Sequence, residues 1–140
     1  MFTELVDKLI AEKRLTLKEG QTLQSVTYHD SCHAKRHVGL SKEPRAALAG
    51  AGFEVKEMME CDTCCGMGGS YTVKQPELSM SMLKRKLDNV EKTEAQFLCA
   101  ECPGCLIQIG GGLDKRGSRM KAKHPAELME ERFKDYSDKD

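Results

Sequence analysis

The chain has no tryptophan, and only three tyrosines and four phenylalanines among 140 residues. So few aromatic rings leave little surface for stacking on nucleic-acid bases. An excess of either charge is also missing. Lys+Arg and Asp+Glu number 22 each, for a formal net charge of zero. A nucleic-acid or anionic-membrane binder would usually carry a basic excess. No apolar run approaches the ~20 residues that a membrane-spanning helix needs. The opening residues alternate apolar and charged side chains instead of setting a basic segment before an apolar one, so a secretory leader is not expected. Internal repeats and low-complexity linkers are lacking as well, and the length fits one domain. A cytoplasmic protein is the expectation.

What the chain does have is cysteine: seven, at 32, 61, 64, 65, 99, 102 and 105. In a reducing compartment disulfides rarely persist, and clustered thiols more often signal metal or redox chemistry. The number is odd and two of the seven are adjacent, which fits a disulfide framework poorly.

Hydrophobic periodicity supplies the scaffold. Residues 2–13 place Phe2, Leu5, Val6, Leu9 and Ile10 at helical spacing. Leu23 to Tyr28 reads as a strand, Pro44 to Gly50 as a helix closed by glycine, and Phe53 to Met58 as a second strand. Pro76 suits a first helical turn and opens a helix to about Lys92, with Leu78, Met82, Leu83, Leu87 and Val90 along one side. Gln96 to Ala100 is a third strand, followed by a short helix stopped by the glycines at 110–112. Arg119 to His124 is a fourth strand, and Pro125 starts a last helix holding Leu128, Met129 and Phe133. Strands separated by helices pair in parallel through crossovers. The expected fold is therefore α/β: a Rossmann-like open parallel sheet of about four strands with flanking helices. Residues 1–20 form a leading helix and linker, 21–134 the domain, and 135–140 a frayed tail.

On this scheme Cys32 follows the first strand, Cys61, Cys64 and Cys65 the second, and Cys102 and Cys105 the third. Strand-to-helix loops of a parallel sheet share the carboxyl edge, where ligands bind. Residues distant in sequence should thus converge there. Thiolates are soft ligands suited to iron–sulfur clusters or zinc. Glycines 66, 68 and 69 would let backbone amides approach the sulfurs without a Cβ in the way. Helix N-termini after Cys32, Tyr71 and Cys102 would offset part of the thiolate charge.

The pattern Cys32, 31 residues, Cys64-Cys65-Gly66, then Cys102-Pro103-Gly104-Cys105 with 36 residues between Cys65 and Cys102, resembles the CCG cysteine-rich domain family. That family includes subunits of heterodisulfide reductase, glycolate oxidase and a lactate-utilisation oxidoreductase. The stretches YHDSCHAKRHVG, DTCCGMGGSYTVKQPELS and CLIQIGGGL are similar to the lactate-utilisation type, and the resemblance covers about residues 21–134. It implies that Cys32, Cys64, Cys65, Cys102 and Cys105 are the ligands of an iron–sulfur cluster, as in the non-cubane [4Fe–4S] sites of the heterodisulfide reductase branch. Lactate-type members often lack the first cysteine of the final pair, whereas this chain keeps Cys102. Some family domains carry zinc instead. The resemblance also implies a module of a larger oxidoreductase, working in electron transfer or disulfide handling beside ferredoxin-like or flavin-containing subunits or a second CCG domain. A membrane-bound complex would be reached only through such partners. The sequence has one copy of the pattern and no further ferredoxin-type cysteine run, so no hydroxy-acid oxidation is assigned to it alone.

Other readings stand beside this one. A zinc-stabilised scaffold that docks partner subunits would use about four of the five cysteines. A thioredoxin-like dithiol oxidoreductase would use Cys102 and Cys105 and leave the others unexplained. Cys99 reads best as a buried strand residue, free cysteine being a small hydrophobe. Cys61 reads equally as a spare ligand or resolving thiol and as a structural residue. His33 and His124 are additional candidates, placed by the same edge to hydrogen-bond a cluster sulfur or protonate a thiolate. The GMGGSY loop is no dinucleotide fingerprint, because Tyr71 stands where a third glycine belongs.

Overall fold

A computed structural model describes residues 1–134; the frayed tail expected at 135–140 lies outside them. The elements run α1 (Phe2–Ala11), β1 (Gln24–Tyr28), a π-helical turn (His33–Val38), α2 (Glu43–Gly50), β2 (Phe53–Val55), α3 (Tyr71–Lys74), α4 (Pro76–Glu91), β3 (Phe97–Cys99), α5 (Pro103–Lys115), β4 (Lys121–Lys123) and α6 (Pro125–Met129). The strands form one parallel sheet in the order β2-β1-β3-β4. The expected open α/β sheet is what the chain adopts. Among the described residues, no helix is long and apolar enough to cross a membrane.

Strand alternation divides the core in two. Val26 and Tyr28 of β1, with Phe97 and Cys99 of β3, face a cluster built with Val6 of α1, Ala47 and Leu48 of α2, and Leu128 and Met129 of α6. Leu98 points the other way, into a cluster with Leu83, Leu87 and Val90 of α4 and Ile109 and Leu113 of α5. The connection leaving β1 therefore packs on one face and that leaving β3 on the other. Their carboxyl ends meet at the sheet's topological switch point, where open α/β sheets form their binding crevice.

Several elements differ from the sequence expectation. The strands are shorter; β2 ends at Val55, and β4 starts only at Lys121. Glycines 110–112 do not stop α5. The helix runs through them to Lys115, and Gly117, at φ +68°, follows its end. A Cβ on Gly112 would come within 2.7 Å of Leu87 Cδ1, so this glycine lets α5 lie close against α4. Leu78 is exposed, and the buried side of α4 includes Ser79, Lys86 and Asn89 beside its leucines. Phe133 lies beyond α6, in an antiparallel bridge with Leu17. The π-helical turn after Cys32 was not legible from periodicity; Gly39 ends it in the left-handed region at φ +78°. Such turns are frequent at functional sites.

Candidate metal centre at the carboxyl edge

Three loops leave the carboxyl ends of β1, β2 and β3, and polar contacts fix the first two to each other. Asp30, buried after β1, is held by the Arg45 guanidinium through two 3.0 Å hydrogen bonds. Arg45 also reaches Glu57, after β2. Lys35 of the π-helical turn donates to Asp62 at 2.6 Å. The entry to the cysteine loop is Glu60, a non-glycine residue at φ +55°. Its carboxylate accepts from Arg85 and from Asn89, and its carbonyl accepts from the Lys86 ammonium. A left-handed residue of this kind needs such over-determination to persist.

The Cys61 carbonyl is the hub of this arrangement. It accepts from the Asp30 amide at 3.0 Å, from His29 Nδ1 at 3.1 Å and from Lys86 Nζ at 3.4 Å. The Cys61 thiol turns to the Asp30 carboxylate, and burial followed by this contact raises its pKa.

Within that frame the sulfurs gather. Cys65 and Cys105 are buried with their Sγ atoms 3.5 Å apart. Cys102, at the N-cap of α5, reaches Cys105, and Cys32 reaches Cys64 and lies near Cys65. The Gly66 amide donates to Cys64 Sγ at 3.3 Å. The five cysteines of the sequence pattern thus share one neighbourhood. Cys61 packs beside it with its thiol toward Asp30. Cys99 lies in β3 in the opposite core, fully buried. His33 is exposed, its ring 5.4 Å from that of His37. His124 caps α6, its Nδ1 accepting from the Ala126 amide, and stacks near Phe2.

The glycines of the loop act mainly through conformation. Gly66 has φ +89°, and a Cβ there would sit 2.5 Å from the Ser79 carbonyl oxygen of α4. Gly68 and Gly69 are also left-handed; space beside Gly69 is open, while a Cβ on Gly68 would meet Tyr71. Among these glycines it is Gly66 whose amide reaches a sulfur.

Two residues that the sequence pattern did not single out face the sulfurs. His29 is fully buried, and its ligand atom lies within 4.8 Å of both Cys65 and Cys105 sulfurs. Its position could have been read by continuing the alternation of β1, since His29 shares the side of Thr27, away from Val26 and Tyr28. Lys86 is 2 % exposed, and burial lowers its pKa, with Cys61 and Cys65 pulling the other way. A lysine three residues after Leu83 and one before Leu87 falls on the buried stripe of α4, which was the available signal.

The electrostatics separate the paired thiols. Hydrogen bonding from Cys105 lowers the Cys65 pKa to about 4 against the cost of burial, with the Met67 amide adding to the effect. Cys105 is raised by the same contact and by burial. When one of the pair ionises it is Cys65, and Cys105 keeps the proton. Burial, then Cys64, raises Cys32. Crowded thiols of which one ionises early make a soft donor set that gains from a cation.

The CCG cysteine-rich domain family matches residues 26–110. The chain belongs to the CCG family. Among similar proteins are Lactate utilization protein A 2 of Bacillus cereus (strain Q1), 33% identical over 127 residues, and Lactate utilization protein A of Oceanobacillus iheyensis, 37% identical over 112. These alignments cover 90% and 79% of this chain but 52% and 46% of the relatives. This CCG chain spans about half the length of the curated relatives it matches. The CCG pattern and the gathered sulfurs together make it a cysteine-rich module with a candidate metal site.

Proposed function

We propose that this chain is an iron–sulfur module of a larger oxidoreductase, in which Cys32, Cys64, Cys65, Cys102 and Cys105 hold the cluster. The observation that carries the reading is the convergence of these five thiols from three loops at the switch point of the sheet. The surroundings fit an anionic, thiolate-bound group. Lys86 brings a buried ammonium beneath the Cys61–Cys65 loop, where it donates to backbone carbonyls. Buried charge is favourable only with a compensating partner, and thiolates around a cluster supply one. The N-terminus of α5, directly after Cys102, adds favourable dipole.

A bound iron–sulfur cluster supplies one-electron exchange and a soft site for sulfur ligands. The chain's own part is to hold the ligands and exclude water. The Asp30–Arg45–Glu57 bridge and the Cys61 carbonyl hub lock the β1 and β2 loops at a fixed separation. Leu83, Leu87 and Ile109 close the site from below. Cys32, Cys64 and Cys102 remain partly exposed, on the side from which an electron partner or a sulfur substrate would approach.

The relatives are named for lactate utilisation. For this chain we read the corresponding role as passing electrons or handling a disulfide, with hydroxy-acid oxidation left to flavin-containing or ferredoxin-like parts or to a second cysteine-rich domain. A reducing cytoplasm suits such a site. A zinc-stabilised docking module is the second reading, favoured by the compact group of one nitrogen and two sulfurs at His29, Cys65 and Cys105.

Anaerobic purification followed by visible absorption and electron paramagnetic resonance separates the two. The cluster reading expects brown protein with a low-temperature paramagnetic signal in one redox state. Colourless protein carrying stoichiometric zinc would overturn it.

A further inference from the structure

His29 is held in a way that the five-cysteine pattern does not explain. Its Nδ1 lies 3.1 Å from the Cys61 carbonyl oxygen. A carbonyl can only accept, so Nδ1 carries the proton, and in the neutral ring Nε2 presents its lone pair. That second nitrogen is buried and finds no hydrogen-bond partner among the described residues. A ring nitrogen of His29 lies within 4.8 Å of the Cys65 and Cys105 sulfurs, both in the candidate ligand set. An orphaned acceptor in the interior is costly and calls for an explanation.

The surrounding structure commits the ring to this pose. His29 follows directly on β1, its amide donating to the Cys99 carbonyl at 2.9 Å, so its backbone continues the β1–β3 pairing. The hub on the Cys61 carbonyl, shared with the Asp30 amide and Lys86, fixes the far side of the imidazole. Metal-bound histidines commonly have this form: one nitrogen on the metal, the other N–H donating to a carbonyl that sets tautomer and orientation.

We infer that His29 is a nitrogen ligand of the metal centre, binding through Nε2 beside Cys65 and Cys105. The inference rests on the metal-binding reading above and adds a donor outside the cysteine pattern. Coordination to the metal satisfies that lone pair. A mixed nitrogen and sulfur set also carries less negative charge than an all-thiolate one. Exchange of thiolate for imidazole raises the reduction potential of iron–sulfur sites, and the same direction is expected here.

The test uses the full chain, produced with histidine-selective 15N labelling and loaded anaerobically with ferrous iron and sulfide. Pulsed electron paramagnetic resonance on the paramagnetic state then reads nitrogen coupling directly. We expect a strong coupling whose frequency follows the isotope, present in wild type and in His33→Ala and His124→Ala, and absent in His29→Ala. His29→Cys should keep iron and shift the potential to more negative values, whereas His29→Ala should lower retained iron about tenfold or more, as loss of a ligand or its support does. Iron incorporated without any strong histidine coupling would overturn this inference and leave the proposed function standing. Failure to incorporate iron at all would overturn both. The wild-type spectrum decides the matter even where a His29 variant does not fold.

Discussion

Cys65 and Cys99 are both buried cysteines, on opposite faces of the same four-stranded sheet. Cys99 points from β3 into the core of α1, α2 and α6, among Val26, Tyr28, Ala47 and Leu48. Burial, the largest cause, followed by nearby Glu101 and Glu127, pushes its thiol well up. Cys65 lies over the α4–α5 face, 3.5 Å from Cys105 and near His29, and its thiol is pulled down. The burial is similar and the direction opposite. What separates a packing cysteine from a candidate ligand cysteine is therefore the company it keeps: an apolar core with carboxylates nearby in one case, donors to the thiolate in the other. The same contrast runs through the whole domain. One face is a largely apolar core with buried Glu101 at its edge, while the other ends in polar groups organised around sulfur.

The largest effect that could break this contrast concerns metal content. Cys65→Ser or Cys105→Ser should lower bound metal by about tenfold or more, since each removes a soft donor. Cys99→Ala should leave metal content at the wild-type level and cost about 1 kcal/mol of stability for the small cavity. Metal analysis beside denaturant unfolding reads both. Equal metal loss in all three variants would erase the distinction between the faces.

A smaller effect sharpens the conformational part. Gly66→Ala meets both a left-handed φ and a carbonyl 2.5 Å from the new Cβ, whereas Gly69→Ala meets only the φ. Gly66→Ala is expected to cost about 3 kcal/mol or more, and Gly69→Ala about 1 kcal/mol. Thermal unfolding of the metal-free proteins compares them. Similar losses would mean that the approach of the loop to α4 does not constrain it.

A further test of the contrast is in pH. For metal-free, reduced protein, Cys65 has a folded pKa of about 4, below that of an unfolded cysteine. Its contribution to stability is complete above the ordinary cysteine range and is lost as pH falls through about 4. Cys99 has a raised pKa, so its contribution is complete below the ordinary range and is lost as pH rises beyond it. The melting-temperature difference between wild type and Cys65→Ser should grow from acidic to neutral pH. That between wild type and Cys99→Ala should stay flat over the same window. Two parallel profiles would contradict the opposite shifts.

Much of this was legible in the sequence because it depends on spacing and period. The alternation of Val26 and Tyr28, the stripe of Leu83, Leu87 and Val90, and Pro76 and Pro125 at helix starts place the elements. Parallel pairing then brings Cys32, Cys65 and Cys105 to one edge. What escaped depends on contacts between distant segments. Gly112 reads as a helix stop until Leu87 is seen against it, because a glycine that permits close packing and one that ends a helix look alike in one dimension. Lys86 falls on the stripe of Leu83 and Leu87, but its role comes from the carbonyls of Glu60 and Cys61 around its ammonium. His29 stood beside Cys32 in the motif, yet its meaning comes from the Cys61 carbonyl, 32 residues away.

The central claim is that thiolates from three loops build one metal centre. X-ray absorption at the iron and zinc edges of anaerobically purified protein tests it most directly, because it names the element and its donors together. The account predicts an iron edge with a shell dominated by sulfur and a second shell of iron neighbours. An iron-free sample, or a metal shell of oxygen and nitrogen without sulfur, would contradict it.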